Sequence, residues 1–113
     1  IMSDILKNAK KHFHHRNADL RKISVPEWEC EIYYKPASNL SIQERLVELT
    51  QENKFAEASV MTLILRARDK DGKLLWKEND KSELMMEVDS QVVAKIAKEI
   101  NDASITEEIM EKN

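Results

Sequence analysis

The sequence predicts an α+β fold that is mostly helical, with a small antiparallel β-hairpin packed on three to four helices. Residues 24–36, SVPEWECEIYYKP, alternate apolar and polar side chains, which is the period of a half-buried strand. Several later segments instead repeat their apolar residues at helical spacing. The 113 residues include one Gly and two Pro, so short connections between elements are expected.

The hairpin is predicted from two alternating segments that meet at a proline. Residues 20–25 and 28–35 both alternate, and Pro26 fixes φ at the value required in a tight turn over residues 25–28. Pro36 ends the second strand. One face of that strand then carries Trp28, Cys30, Ile32 and Tyr34. Because a lone hairpin is marginally stable in water, helices must cover one of its faces.

Helical segments follow the hairpin. Ser41 is expected to cap the first of them, and Glu44 would complete a capping box. Residues 54–70 are apolar over most of a helical circumference, which is typical of the most buried helix. A turn is predicted around Gly72, and Ser90 is expected to cap the amphipathic segment QVVAKIAKEI.

The chain is predicted to form one domain with a polar segment at each end. Its length fits a single domain with a modest core. Residues 1–19 are predicted to be a polar arm or a marginal helix, and residues 20–101 to be a single α+β domain. Residues 102–113 are acidic and are predicted to be a flexible tail.

Composition and charge argue against several classes of function. A formal charge of −3 provides no basic surface for nucleic acid or for an anionic membrane. No segment is apolar over the length that spans a bilayer, and charged residues interrupt any signal-peptide core near the N-terminus. The single cysteine excludes an internal disulfide, which is compatible with a reducing cytoplasm. We therefore expect no nucleic-acid partner and no membrane partner.

The histidines and the cysteine do not predict a metal site. His12, His14 and His15 lie so close together in a polar segment that they cannot enclose a zinc ion alone. Cys30 lies on the apolar face of a predicted strand, where a lone cysteine is expected to be a small buried hydrophobe.

The segment around Gly72 resembles a calcium loop only in part. With Gly72 as the sixth residue, Asp69, Asp71 and Glu78 take the third, fifth and last positions. Ala67, however, takes the first position, where calcium requires an oxygen ligand. A plain turn after a helix explains the same residues, so no metal and no cofactor are expected.

The sequence also lacks the signs of an enzyme. It has no phosphate-binding glycine loop and no arrangement of serine, histidine and aspartate that would activate a nucleophile. The carboxylates alternate with lysines in helical segments, where a solvated surface explains them. We therefore predict that the chain is not an enzyme.

Two segments resemble the tail assembly chaperones of phages with long noncontractile tails, the lambdoid ones especially. The first is KISVPEWECEIYYKP at residues 22–36, and the second is LILRARDKDGKLLWKENDKSEL at residues 63–84. In that family a hairpin precedes a helical segment, and a final amphipathic helix follows the second stretch. The resemblance covers most of residues 20–101. Many members have a glycine after the tryptophan, where this chain has Glu29.

The resemblance implies a function in phage tail assembly and virion morphogenesis. Such viral proteins bind the tape measure protein in the host bacterial cytoplasm, keep it soluble and are not retained in the virion. They tend to form homo-oligomers. A programmed frameshift near the C-terminus gives a longer form that recruits tail tube protein, and Glu111-Lys112-Asn113 is compatible with a slippery A-rich codon run.

The residues expected to contact a partner or a second copy are large and apolar or aromatic. They are Trp28, Tyr33, Tyr34, Leu75, Trp76, Leu84, Met85 and Met86. Two interpretations stay open for the apolar runs at residues 74–76 and 84–86. Either alternate members of each run face the core, or some remain outside as an adaptable contact surface. The alternative function is a virion structural subunit, such as a head–tail connector or a tail terminator.

Overall fold

The computed structural model describes the backbone of residues 2–112 and the side chains of residues 4–102. It confirms the α+β class, because one antiparallel hairpin packs with five α-helices. The elements are α1 (Met2–Arg16), β1 (Arg21–Val25), β2 (Cys30–Tyr34), α2 (Leu40–Gln51), α3 (Phe55–Arg66), α4 (Lys81–Met86) and α5 (Ser90–Lys112). Short 3₁₀ turns lie at Pro26–Trp28 and Glu78–Asp80.

The polar ends of the chain are helical where the structure describes them. The N-terminal segment, predicted to be an arm or a marginal helix, forms α1. Its apolar residues Ile5 and Leu6 are exposed, and Asn17 just beyond it accepts a hydrogen bond from the Ala37 N–H through Oδ1 at 2.9 Å. At the other end, the backbone of α5 continues through Lys112. Residues 102–113 are predicted to be a flexible tail. Of their side chains, only that of residue 102 is among the described ones.

The hairpin buries one face against the helices. Ile23 pairs with Ile32 and Arg21 with Tyr34 in the antiparallel register. Ile23, Ile32 and Tyr34 are buried, as the alternation predicts. Cys30 is exposed, so the prediction that it is buried is wrong. The residue before it, Glu29, has a left-handed backbone that interrupts the extended conformation, and burial in β2 begins at Ile32.

The loop of the hairpin is two residues longer than predicted, because the second strand begins at Cys30 and not at Trp28. Pro26 begins a 3₁₀ turn, and the Glu29 N–H donates to the Pro26 carbonyl at 3.1 Å. The Glu29 φ angle of 52° then returns the chain to the second strand. The reversal therefore spans residues 26–29, with the proline at its first position.

Helix α2 begins before the predicted cap. The Asn39 side chain accepts a hydrogen bond from the Ile42 N–H at 2.9 Å, and its backbone is extended, with φ −93° and ψ 168°. Ser41 already lies inside the helix, so its prediction as the N-cap is wrong. Asparagine and serine cap helices about equally well. The extended chain at Asn39, immediately before the helix, decides between the two.

Helix α3 is the buried helix of the domain, as predicted. Val60, Met61, Leu63 and Ile64 are at most 3% exposed, and α3 packs against α2, α4 and α5. Burying such side chains contributes about 1.5–3 kcal/mol each. Phe55, the first residue of the helix, is the exception, because it is 58% exposed.

The turn around Gly72 is confirmed, and it extends the sheet. The Arg68 and Tyr33 backbones exchange N–H to carbonyl bonds of 2.7 and 2.9 Å, so residue 68 continues the sheet beside β2. The Asp69 carboxylate accepts from the N–H groups of Asp71 and Lys73 at 2.8 and 3.0 Å. These bonds account for Asp69 as a turn residue. Gly72 has φ 84°, which favours glycine.

Candidate functional site

An apolar groove lies where the start of α3, the end of α4 and the start of α5 meet. Its volume is about 380 Å³. The larger apolar side chains that line it are Phe55, Val60, Leu84, Met85, Val88 and Val93. We refer to these six residues as the apolar groove.

The apolar groove has a buried floor and an exposed rim. Val60, Leu84 and Val93 form the floor, and each is at most 6% exposed. Phe55 on one side is 58% exposed, and Met85 on the other is 41% exposed. A helix of a soluble protein normally turns such side chains inward, so a cluster that keeps them at the surface is typical of a contact site.

Two tight connections hold the rim in place. Between α2 and α3 the Asn53 backbone is left-handed, with φ 61°, and the Lys54 N–H donates to the Leu49 carbonyl. This turn makes Phe55 the first residue of α3. Between α4 and α5 the Asp89 carboxylate accepts from the Gln91 N–H at 2.8 Å. Residues 87–89 therefore bring Val88 to the rim between the two helices.

Charge around the apolar groove is unequal. Glu57 and Lys81 form an ion pair of 3.2 Å that joins α3 to α4. Glu83 and Glu87 are exposed, and neither has an ion-pair partner among the described side chains. Beside them Met86 is 81% exposed. The α4 side of the rim is therefore both apolar and acidic.

The structure separates the predicted contact residues into different places. Met85 and Leu84 belong to the apolar groove, and Met86 adjoins it. Leu84 is buried in its floor, so its side chain offers little surface. Tyr34 is a core residue at 5% exposure, and its side chain is not available at the surface. Tyr33 is half-buried, with its hydroxyl donating to Glu31 at 3.2 Å.

The two tryptophans pack on each other instead of lying open. Trp28 from the hairpin loop and Trp76 meet edge to face, with ring centroids 6.2 Å apart and an angle of 84°. Both are partly buried against the core. Leu75, next to Trp76, is 39% exposed. The tryptophan pair therefore joins the hairpin loop to the segment before α4. Neither tryptophan lines the apolar groove.

Phe55 and Val88 belong to the site but were not among the predicted contact residues. Phe55 stands at the start of a largely apolar segment, so its position in the sequence favours the core. Its place in the first turn, directly after a left-handed residue, is a signal that it can lie outside. Val88 lies between acidic residues, and nothing in the sequence alone shows which helix it faces.

The described side chains contain no group of three His, Cys, Asp or Glu residues that could hold a metal ion. Cys30 is an exposed free cysteine, and the partial burial of its thiol raises the pKa of that group. Within the part of the chain that the structure describes, no helix has both the length and the apolar character needed to cross a bilayer.

No family model matches this chain, and no curated protein or solved structure matches it either.

Proposed function

We propose that this protein is a phage tail assembly chaperone that binds the tape measure protein in the host bacterial cytoplasm and keeps it soluble. The observation that carries the proposal is the apolar groove with its exposed rim. The resemblance of residues 22–36 and 63–84 to tail assembly chaperones names the partner. The same resemblance supports self-association and a longer frameshifted form that recruits tail tube protein.

The partner segment that suits the groove is an amphipathic helix. Grooves between helices bind such segments through apolar side chains spaced three and four residues apart. The methionine at the rim is flexible and polarizable, so it adapts to side chains of different shape. This adaptability suits a tape measure protein, which presents many similar helical turns along its length.

Charge favours one kind of helix over others. Glu83 and Glu87 are sequence neighbours of groove residues and have no ion-pair partners among the described side chains, so a helix with Lys or Arg beside its apolar stripe is preferred. Exposed ion pairs of this kind contribute about 0–1 kcal/mol each, so they guide the orientation more than the affinity.

Binding through such a groove is weak enough to be reversed. A helix inserting two or three apolar side chains gains about 1.5–3 kcal/mol for each, and association costs much of that gain. The tape measure protein would then be released when tail tube subunits polymerise around it. No cofactor and no bond-making step is needed.

The test is co-expression of the tape measure protein with a groove variant. Met85→Ser combined with Met86→Ser removes apolar area from the rim while leaving the buried floor intact. We expect the soluble fraction of tape measure protein to fall. The matched control is Leu40→Ser, which removes an 82% exposed leucine from α2, outside the groove, and should change nothing. Unchanged solubility with the groove variant, its circular dichroism spectrum intact, would contradict the proposal.

Mass spectrometry of purified particles tests the alternative. An assembly chaperone is absent from finished virions, whereas a head–tail connector or a tail terminator is present in fixed copy number. Finding this chain at the stoichiometry of a ring would replace the proposal with the structural role.

A further inference from the structure

A second pocket lies at the C-terminal end of α3, between α2 and residues 36–38. Its volume is about 400 Å³. Its lining includes Arg16, Pro36, Gln43, Leu46, Gln51 and Arg66. We refer to it as the Arg66 pocket. It shares no residue with the apolar groove.

Arg66 is a buried cation that forms no ion pair with any carboxylate on the side chains that the structure describes. Arg66 is the last residue of α3, and it is 6% exposed. Nη2 donates to the Lys35 carbonyl at 2.7 Å and to the Pro36 carbonyl at 3.4 Å. The guanidinium carries further N–H donors on Nε and Nη1, and these have no acceptor among the described atoms.

The described surroundings provide no opposite charge. Among residues 4–102, none that lines the Arg66 pocket is acidic. The Tyr34 ring lies beside the guanidinium, with its centroid 6.0 Å from the Arg66 Cζ. Burial consequently lowers the pKa of the Arg66 guanidinium. A buried charge is costly unless a partner of opposite sign meets it.

A neighbouring amide shows the same excess of donors. Asn17 binds Ala37, a residue that lines the pocket, through Oδ1, but its Nδ2 is buried without an acceptor. Buried polar groups without partners are rare in folded proteins, and each calls for an explanation. Asn17 Nδ2 is the one such atom among the described side chains, and it lies next to the residues that line the Arg66 pocket.

We propose that the Arg66 pocket binds the carboxylate group of an organic acid. The planar guanidinium matches a carboxylate with two parallel N–H···O bonds. The amides of Gln43 and Gln51 add donors, while Pro36 and Leu46 offer contact to a short apolar body. A pocket of this volume is larger than an inorganic anion requires. The carboxylate belongs either to a free acid or to the end or side chain of a protein.

Titration of the full chain, followed by ¹⁵N nuclear magnetic resonance, tests the proposal. Sodium hexanoate should cause saturable shifts at residues 43–51 and at the Arg66 side chain. Hexanamide, which has the same apolar body without the charge, should cause none, and sodium chloride at equal ionic strength sets the baseline. Shifts with hexanamide equal to those with hexanoate, or no saturable shift with hexanoate, would overturn the proposal.

A peptide distinguishes the two sources of the carboxylate. An acetylated hexapeptide that ends in a free C-terminal leucine is titrated beside hexanoate. Binding of the peptide at least about tenfold tighter than hexanoate assigns the pocket to a protein partner, and comparable binding assigns it to a small acid. Both results support a carboxylate site.

Variants separate binding from folding. Arg66→Met should abolish the hexanoate shifts. Because this change also removes the Arg66 hydrogen bonds to the Lys35 and Pro36 carbonyls, Gln51→Glu provides the independent test. A glutamate at the pocket wall supplies a tethered carboxylate and should weaken hexanoate binding about tenfold through like-charge repulsion. Gln91→Glu, the same change in the apolar groove, is the control and should leave hexanoate binding unaltered. Equal binding to the wild-type chain and to Gln51→Glu would contradict the proposal.

Discussion

At the scale of single residues, Glu29 occupies a backbone conformation that suits glycine better. Its φ of 52° places the Cβ atom against the following carbonyl, at a cost of about 1–2 kcal/mol. Glycine removes that strain but gives back about 0.5–1 kcal/mol in chain entropy. We therefore expect Glu29→Gly to stabilise the protein by up to about 1.5 kcal/mol in chemical denaturation.

Asn53→Gly provides the matched control for that prediction. Asn53 has a similar φ of 61°, but asparagine tolerates the left-handed region because its side chain bonds locally. The gain should be smaller than at Glu29. A loss of stability in Glu29→Gly would show that the glutamate side chain contributes more than its backbone costs.

Cys30 is predicted to react slowly although it is exposed. The thiolate is the reactive form, and a thiol pKa raised by partial burial lowers the thiolate fraction below the pKa. Alkylation by iodoacetamide near pH 8 should therefore go to completion in the folded protein, but more slowly than in an unfolded peptide. The difference should shrink as the pH rises above the pKa of Cys30. Equal rates at about pH 8 would contradict the raised pKa.

At the scale of elements, the start of α2 depends on one side chain. Asn39→Ala removes the oxygen that accepts from the Ile42 N–H and should destabilise the protein by about 1 kcal/mol. Ser41→Ala should cost less than about 0.5 kcal/mol, because Ser41 lies in the helix and is exposed. Denaturant titration of both variants measures the difference. A larger loss of stability for Ser41→Ala than for Asn39→Ala would indicate that Ser41 is the N-cap.

The tryptophan pair should couple the hairpin loop to the chain before α4. Edge-to-face pairs contribute about 0.5–1.5 kcal/mol beyond the area that they bury. A double-mutant cycle with Trp28→Ala and Trp76→Ala should return a coupling energy in that range, since the ring centroids are 6.2 Å apart. Additive effects would mean that each tryptophan packs on the core independently of the other.

At the scale of the whole molecule, the core is predicted to determine stability and the ion pairs to add little. Every described ion pair has both side chains at least 28% exposed, including Arg45–Glu78 between α2 and the turn before α4. Arg45→Ala should therefore cost less than about 1 kcal/mol. Leu63→Ala, at a position with no exposure, should cost about 2–5 kcal/mol.

Salt provides a second measure of the same prediction. Raising sodium chloride from about 0.05 to 0.5 M screens exposed charges but leaves apolar burial in place. The unfolding free energy should change by less than about 1 kcal/mol across that range. A larger loss would show that the surface charges act together as a network.

Local patterns predicted the elements better than their ends. Alternation in residues 20–35 predicted the hairpin and the burial of Ile32, because the side chains of a strand point to opposite faces in turn. Apolar periodicity likewise predicted α3 as the central helix. Ser41 was wrongly predicted to cap α2, and Cys30 was wrongly predicted to be buried. Both depend on the backbone angles of a neighbouring residue, which residue type alone does not determine.

The candidate site shows where prediction from the sequence stops. Met85 and Leu84 were predicted because apolar residues are dense there, whereas Phe55 and Val88 were not. The apolar groove joins residues 55–60 of α3 to residues 84–93, which lie in α4, the connection after it and α5. No local period predicts contact between segments so far apart in the chain. The tryptophans were predicted at a contact surface but pack on each other.

The sequence by itself determined the fold class and the hairpin, because hydrophobic periodicity acts over a few neighbouring residues and can be seen in the chain. It also determined the resemblance from which the proposed partner follows. Only the tertiary structure decided which apolar side chains stay at the surface and that Arg66 is buried without an ion pair to any described carboxylate. Burial and charge pairing depend on distances between elements, and those distances exist only once α2, α3 and α5 have packed together.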